Sequence, residues 1–166
     1  MPTLTTERPT LRPPSEADFA AQLAFNDSTR TRFVGGRRDR QWVWRGLLAN
    51  IGLWALRGYG FYSVDTHQGD FIGRIGVTFR DDWPEREIGW HIWDPAFEGK
   101  GHATEAAFAA RDHAFDVLGW GTAVSYIHRD NTASRKVAER LGAVIDATAE
   151  RPDDNDVVYR HQRRAA

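Results

Sequence analysis

Between Glu87 and Leu118 the hydrophobic period changes once, and that change limits the folds open to the chain. Ile88, Trp90 and Ile92 alternate with Glu87, Gly89 and His91, the two-residue period of a strand with one apolar face. Pro95 stops it. After Glu98-Gly99-Lys100-Gly101, the residues Ala107, Phe108, Ala110, Ala114, Phe115 and Leu118 recur at helical spacing, which predicts a helix beginning near Ala103. The unit is strand, glycine loop, helix.

A helix that starts just after glycines presents unpaired backbone N–H groups at the positive end of its dipole, a place for phosphate. Gly99 and Gly101 carry no side chain to block a close approach. A nucleoside-triphosphate loop would need Ser or Thr after Gly-Lys, and here Gly101 follows Lys100. A dinucleotide fingerprint would need Gly or Ala where Thr104 stands. A plain flexible loop fits the local pattern equally well.

Along the rest of the chain, Leu4 to Leu11 reads as a first strand, ended by Pro13-Pro14. Ser15-Glu16-Ala17-Asp18 has the form of a capping box for a helix bearing Phe19 and Leu23. A second helix is expected from about Arg40 to Leu56, with Val43, Leu47, Ile51 and Trp54 on one face and Gly58 and Gly60 ending it. Phe61 to Val64 and Phe71 to Phe79 should pair as a hairpin around Thr66 to Asp70. Ala123 to Ile127 is a further strand, Val137, Ala138 and Leu141 mark a short helix, and Val144-Ile145 and Val157-Val158-Tyr159 are the last strands. The expected fold is mixed α/β, of the α+β kind. A central twisted sheet of six to seven strands, mostly antiparallel, is flanked by about four helices, all in one domain over residues 1–166.

The segment Glu98 to Ala103 resembles the pyrophosphate-binding loop of the GNAT superfamily of acyl-CoA-dependent N-acetyltransferases: Gln or Arg, two free positions, Gly, one free position, then Gly or Ala. Gly101 and Ala103 match, while Glu98 replaces the Gln or Arg and leaves only the backbone cradle. The order of flanking segments, from Thr6-Glu7-Arg8 to about Arg160, resembles the branch containing the ribosomal-protein N-terminal acetyltransferases. The resemblance implies acetyl-CoA as co-substrate. Its diphosphate would lie on Gly99, Lys100, Gly101, His102, Ala103 and Thr104, and its pantetheine arm on backbone groups near Ile92 and Trp93.

Acetyl transfer to an amine needs a group to take the amine's proton, and the departing thiolate leaves more easily if protonated. It needs no nucleophilic side chain, which suits a chain without cysteine. Glu87 is the candidate base and His91 the weaker alternative; a solvated edge carboxylate is the competing reading of Glu87. By resemblance, Asn131 contacts the cofactor, with helix N-capping as the other reading. Ala138 stands where many relatives carry an acidic tyrosine, and Ser134 matches the serine that serves instead in the ribosomal-protein branch. Glu105 in the first helical turn fits the dipole better than catalysis. Phe33, Trp54 and Trp83 fall in or beside the segments that form the acceptor side in relatives.

The absence of cysteine excludes disulfides and thiolate metal sites, and no histidine pair has helical zinc spacing, so no metal is expected. A formal net charge of −1 offers no general attraction to nucleic acid or an anionic membrane. No apolar run approaches the roughly 18 residues of a membrane span, and the expected location is the cytoplasm. The expected partners are a small-molecule amine or a protein N-terminus, with a homodimer left open. A non-catalytic acyl-CoA-binding or sensing module is the alternative from another class, and a nucleotide-binding protein a third.

Overall fold

The computed structural model describes residues 1–163. Its strands are β1 (Leu4–Thr5), β2 (Pro9–Arg12), β3 (Phe61–Thr66), β4 (Phe71–Thr78), β5 (Glu87–Ile92), β6 (Ala123–His128), β7 (Val144–Ile145) and β8 (Asp156–His161). The helices are α1 (Phe19–Asn26), α2 (Arg40–Arg57), α3 (His102–Asp116) and α4 (Thr132–Arg140). All eight strands form one sheet in the order β1-β2-β3-β4-β5-β6-β8-β7. Every pairing is antiparallel except β5 with β6. The count exceeds the expected six to seven because Leu4 to Leu11 folds back on itself. The Thr6 N–H and hydroxyl both donate to Pro9 O (3.0 and 2.7 Å), making a hairpin of what alternation alone presents as one strand.

The period of two decides which face of the sheet each side chain meets. On one face Leu11, Val64, Ile75, Ile88 and Trp90 are buried, and α3 covers them with Ala106, Ala107, Ala110 and Ala114. Four alanines let the helix axis sit close to the sheet, and each large aliphatic side chain buried beneath it contributes roughly 1.5–3 kcal/mol. On the other face stand Arg12, Ser63, Asp65, Arg74, Glu87 and His91, fixed in register by the pairs Arg12↔Ser63, Arg74↔His91 and Thr78↔Glu87. Asp18, just before α1, anchors that helix here by accepting from Ser63 Oγ (2.6 Å) and Arg12 Nη2 (2.6 Å). In α1 itself the buried side chains are the polar Gln22 and Asn26. Asn26 is bonded in both directions to the Arg38 backbone (2.9 and 3.0 Å), which ties down the loop before α2. No helix among the described residues is long and apolar enough to cross a membrane.

The parallel pair β5 and β6 meets at one register position, Glu87↔Val124, and then separates. A side-chain bridge marks the point of separation. Ser125 Oγ donates to Ile88 O, so the same oxygen must accept from His161 Nε2 at 2.9 Å, which fixes the proton of that imidazole on Nε2. Burial holds the His161 pKa down to about 4, keeping the ring neutral. Ser125→Ala would leave a buried carbonyl and a buried ring N–H without partners. We expect it to lower unfolding stability by about 1–3 kcal/mol in a denaturant titration; a loss below about 0.5 kcal/mol would remove this bridge as a determinant of the cleft.

Candidate active site

Glu87 stands at the narrow end of the gap between β5 and β6, on the polar face of the sheet. Trp83 Nε1 donates to its Oε2 at 2.6 Å, and Arg80 lies over the Trp83 ring, 4.2 Å from its centroid. Tyr126 meets that indole edge-on at 5.9 Å. Burial pushes the Glu87 carboxyl up to about 7, with the Trp83 hydrogen bond and the charges of Arg80 and Arg74 pulling the other way. A carboxyl near neutrality can gain or lose a proton in a reaction. His91, on the same face, is held well below the ordinary imidazole value by burial and by Arg74, so it is a poor proton acceptor. Trp83 is therefore oriented toward Glu87 and holds that carboxylate.

At the other end of β5 the chain passes through Asp94, a single turn at Pro95–Phe97 and the glycine loop into α3. Gly99 and Gly101 adopt φ of +70° and +88°, left-handed values that favour glycine, and Gly101 is the N-cap of α3. Lacking a side chain, Gly101 cannot cap the helix, and the first turn-closing bond is Glu105 N to Gly101 O. The N–H groups of Gly99, Lys100, Gly101, His102, Ala103 and Thr104 have no protein acceptor among the described residues. The helix thus starts at His102, one residue before the sequence expectation, with its amides directed outward. Arg8 holds the loop in place: its backbone N–H and its guanidinium reach Glu105 (2.9 and 2.6 Å), and Nη1 donates to Lys100 O at 2.7 Å. A groove beside the loop is lined by the cationic Arg8, Lys100 and Arg140, the acidic Glu7 and Glu105, and the small Gly99, Gly101 and Thr104. Three cations face two carboxylates there, and Glu105 is already paired with Arg8, so the groove is more positive than the chain as a whole, which carries a formal −1.

The carbonyl edge of β5 is in use. Arg30, in the turn Thr29–Phe33, donates to Ile92 O at 2.7 Å and to Trp93 O, and the same guanidinium pairs with Glu98. Trp93 N–H bonds back to Ile72 O of β4 at 2.8 Å. The Trp93 N–H thus faces β4 while its carbonyl, like that of Ile92, accepts from Arg30, and the alternation of the strand turns the backbone of Trp90 and Ile92 toward the gap. Glu98 stands where a cationic or amide side chain was expected, and it brings Arg30 to that place.

Asn131 is the N-cap of α4, its Oδ1 accepting from Ser134 N at 3.2 Å. The capping reading is observed, and the cap leaves its amide nitrogen available to donate. Ser134 is half-buried in the first turn of α4, and its hydroxyl has no partner among the described residues. Phe33 packs on His128 at the end of β6, 5.1 Å between centroids, which puts it over the wide end of the gap. Trp54 does not line the acceptor side. It is 2% exposed, packs edge-on against Tyr62 at 4.7 Å and donates Nε1 to Phe61 O, so its size serves the core. The sequence reading omitted Arg8, Arg30, Arg74 and Tyr126. Their partners lie 41 to 97 residues away in three of the four cases, beyond any local pattern.

The model of the acetyltransferase (GNAT) domain matches residues 8–144. An acetyltransferase of known structure from Agrobacterium tumefaciens is 41% identical, with a TM-score of 0.93 over 98% of this chain and 95% of that one. YkkB of Bacillus subtilis, itself uncharacterized, is 29% identical over 94% of this chain and 93% of its own. RimL, a ribosomal L7/L12 α-N-protein acetyltransferase solved in complex with coenzyme A, shares the fold at a TM-score of 0.77 and 21% identity, covering 97% and 98% of the two chains. A matched domain that spans most of the chain, on a sheet parted beside a helix whose first amides are unpaired, leaves one assignment: this chain belongs to the GNAT acetyltransferase family.

Proposed function

We propose that this protein transfers the acetyl group of acetyl-CoA to a primary amine by direct attack within a ternary complex. The observation that carries the reading is the row of unpaired N–H groups from Gly99 to Thr104 at the wide end of the parted strands. A diphosphate there would accept from several amides at the positive end of α3, with Lys100, Arg8 and Arg140 adding charge. The pantetheine arm would then run into the gap along Trp90 and Ile92. Ile92 O already accepts from Arg30, so an amide of the arm would share that oxygen through its second lone pair or displace the guanidinium, which keeps Glu98 as its partner.

In the chemistry, the amine arrives protonated and gives a proton to Glu87. Its nitrogen then attacks the thioester carbon, the carbon–sulfur bond breaks, and the leaving thiolate takes up the second proton that the nitrogen sheds as it becomes the amide, giving CoA. The Ser134 hydroxyl can donate a hydrogen bond to that sulfur. Glu87 suits its part because burial brings its proton affinity close to neutrality. A small-molecule amine and a protein N-terminus are both accepted by this scheme, in a cytoplasmic setting and without a metal. Continuous thiol-release measurements with acetyl-CoA and an amine panel test the reading. Binding of CoA without amine-dependent thiol release would favour a cofactor-sensing module instead.

Because the base acts ionised and its carboxyl is raised to about 7, activity should fall as pH drops through about 7. Glu87→Gln should remove that acidic limb and lower turnover by about 10²–10⁴-fold; an unaltered profile would exclude Glu87. Gly101→Glu puts a strained, anionic side chain 3.1 Å from Arg8 Nη2 at the proposed diphosphate position and should abolish CoA binding by calorimetry. Undiminished affinity in a folded variant would refute the loop assignment. Ser134→Ala should reduce single-turnover rates with little effect on CoA affinity, and a wild-type rate would take Ser134 out of the mechanism.

A further inference from the structure

Six arginines are buried or half-buried among the described residues: Arg12, Arg30, Arg74, Arg111, Arg135 and Arg160. Five of them donate to oxygen. Arg12 reaches Asp18, Arg30 the β5 carbonyls and Glu98, Arg111 the Leu141 carbonyl and Asp112, Arg135 the Tyr159 hydroxyl, and Arg160 both Glu85 and Asp146. Arg74 donates to no oxygen among the described residues. Its Nε lies 3.4 Å from His91 Nδ1, at the long limit of a hydrogen bond, and it makes no ion pair among the described residues. Glu87 acts on it only through space, and a guanidinium taken partly out of water without an anion in direct contact is costly, so its environment calls for one.

Its setting is the face of the sheet that carries Glu87. Arg74 and Glu87 point the same way through the pairs Arg74↔His91 and Thr78↔Glu87, with Gly76 opposite Gly89 between them. The Phe61 ring fills the space at Gly89, and the backbone from Gly60 to Tyr62 that at Gly76. A side-chain carbon at Gly89 would lie 3.0 Å from that ring and 3.8 Å from Glu87 Oε1, and the Arg74 guanidinium carbon is 4.8 Å from the ring centroid. The carboxylate and the guanidinium thus flank one aromatic side chain. Trp93, 5.9 Å from the guanidinium, and Phe25 close the far side. Burial lowers the Arg74 pKa to about 10, which still leaves it charged at neutral pH.

We infer that Arg74 receives an anionic group of the acceptor, and that the acceptor class is amines carrying a carboxylate close to the amino group. This rests on the transfer reading above and narrows it. A bare alkylammonium entering this face shares the one carboxylate, Glu87, with Arg74, and once Glu87 has taken the proton no carboxylate offsets Arg74. A zwitterion matches both ends: its ammonium faces Glu87 and its carboxylate faces Arg74, where a planar fork of N–H donors suits a carboxylate. The carboxylate can be the α-carboxylate of a free amino acid or the side chain of an acidic residue near a peptide N-terminus.

The test separates these sources and does not depend on turnover. Calorimetry on the CoA complex would compare N-acetyl amino acids with their C-terminal amides, and N-acetyl dipeptide amides with aspartate or asparagine in second place. We expect about 10- to 100-fold tighter binding of the carboxylate member of at least one pair. Arg74→Gln should abolish that preference with CoA affinity retained, and Arg74→Lys should keep part of it. Equal binding of acid and amide in both series, or no binding of either, overturns the inference. So does a preference that survives in Arg74→Gln. If that variant does not fold, the wild-type comparison alone decides. Failure of every amine to release thiol from acetyl-CoA would instead count against the transfer reading, and the binding comparison would still stand as the measure of Arg74.

Discussion

A single shared ladder position between β5 and β6 governs the layout of this protein. Parallel neighbours usually continue side by side, each backbone group of one strand meeting a partner on the other. Here the pairing stops after Glu87↔Val124, and the Ser125 hydroxyl, backed by His161, takes the Ile88 carbonyl at the point of departure. Beyond it the inward backbone of Trp90 and Ile92 has no strand to pair with, and the two strands deliver different elements to the open end. β5 feeds the glycine loop and α3, and β6 feeds α4. Two helix starts and one exposed strand edge thereby converge. A long cofactor with a phosphate head and an amide-bearing arm is matched by those features, since the amides of the loop and the edge of β5 offer the complementary donors and acceptors.

Local charge at the loop is set independently of the net charge. Arg8 and Arg30 come from the first thirty residues, and each is held by an acid that belongs to the loop or to the helix it precedes: Glu105 for Arg8 and Glu98 for Arg30. An acid at the start of an anion-binding loop would be unfavourable alone. Paired with Arg30 it becomes a holder for a cation, and the same guanidinium fastens the turn Thr29–Phe33 onto the end of β5. The turn Thr29–Phe33, the end of β5 and the start of the glycine loop are thus joined through one side chain.

The strand, the loop and α3 were legible because their signals are periodic and local: alternation up to Ile92, left-handed glycines, alanines at helical spacing. The assignment of Glu87 to the polar face follows from the same alternation. What the sequence withheld depends on contacts between distant segments. Nothing near Arg8 or Arg30 announces a partner 97 or 62 residues away. Trp54 and Trp83 look alike as isolated tryptophans. Their indole N–H groups end on a backbone carbonyl and on a carboxylate respectively, which makes one a core residue and the other a neighbour of the proposed base. The split of Leu4 to Leu11 into two strands was hidden because a turn of three residues preserves the look of an extended segment.

The polar face also shows how a common environment assigns opposite tasks to two ionisable groups. Glu87 and His91 lie four residues apart on one strand, and burial dominates both shifts. Burial disfavours the charged form in each case, and for a carboxyl that raises proton affinity while for an imidazole it lowers it. Arg74 deepens the contrast by repelling a protonated His91. At neutral pH the imidazole is left unable to hold a proton, and the carboxyl is left near its midpoint. Trp83 then separates the two oxygens of Glu87: Oε2 accepts the indole N–H, and Oε1, on the side of Gly89, is the one free to take a proton from an amine. The proposal of Glu87 over His91 as base rests on burial acting with opposite sign on two residue types, and that of Oε1 on one hydrogen bond.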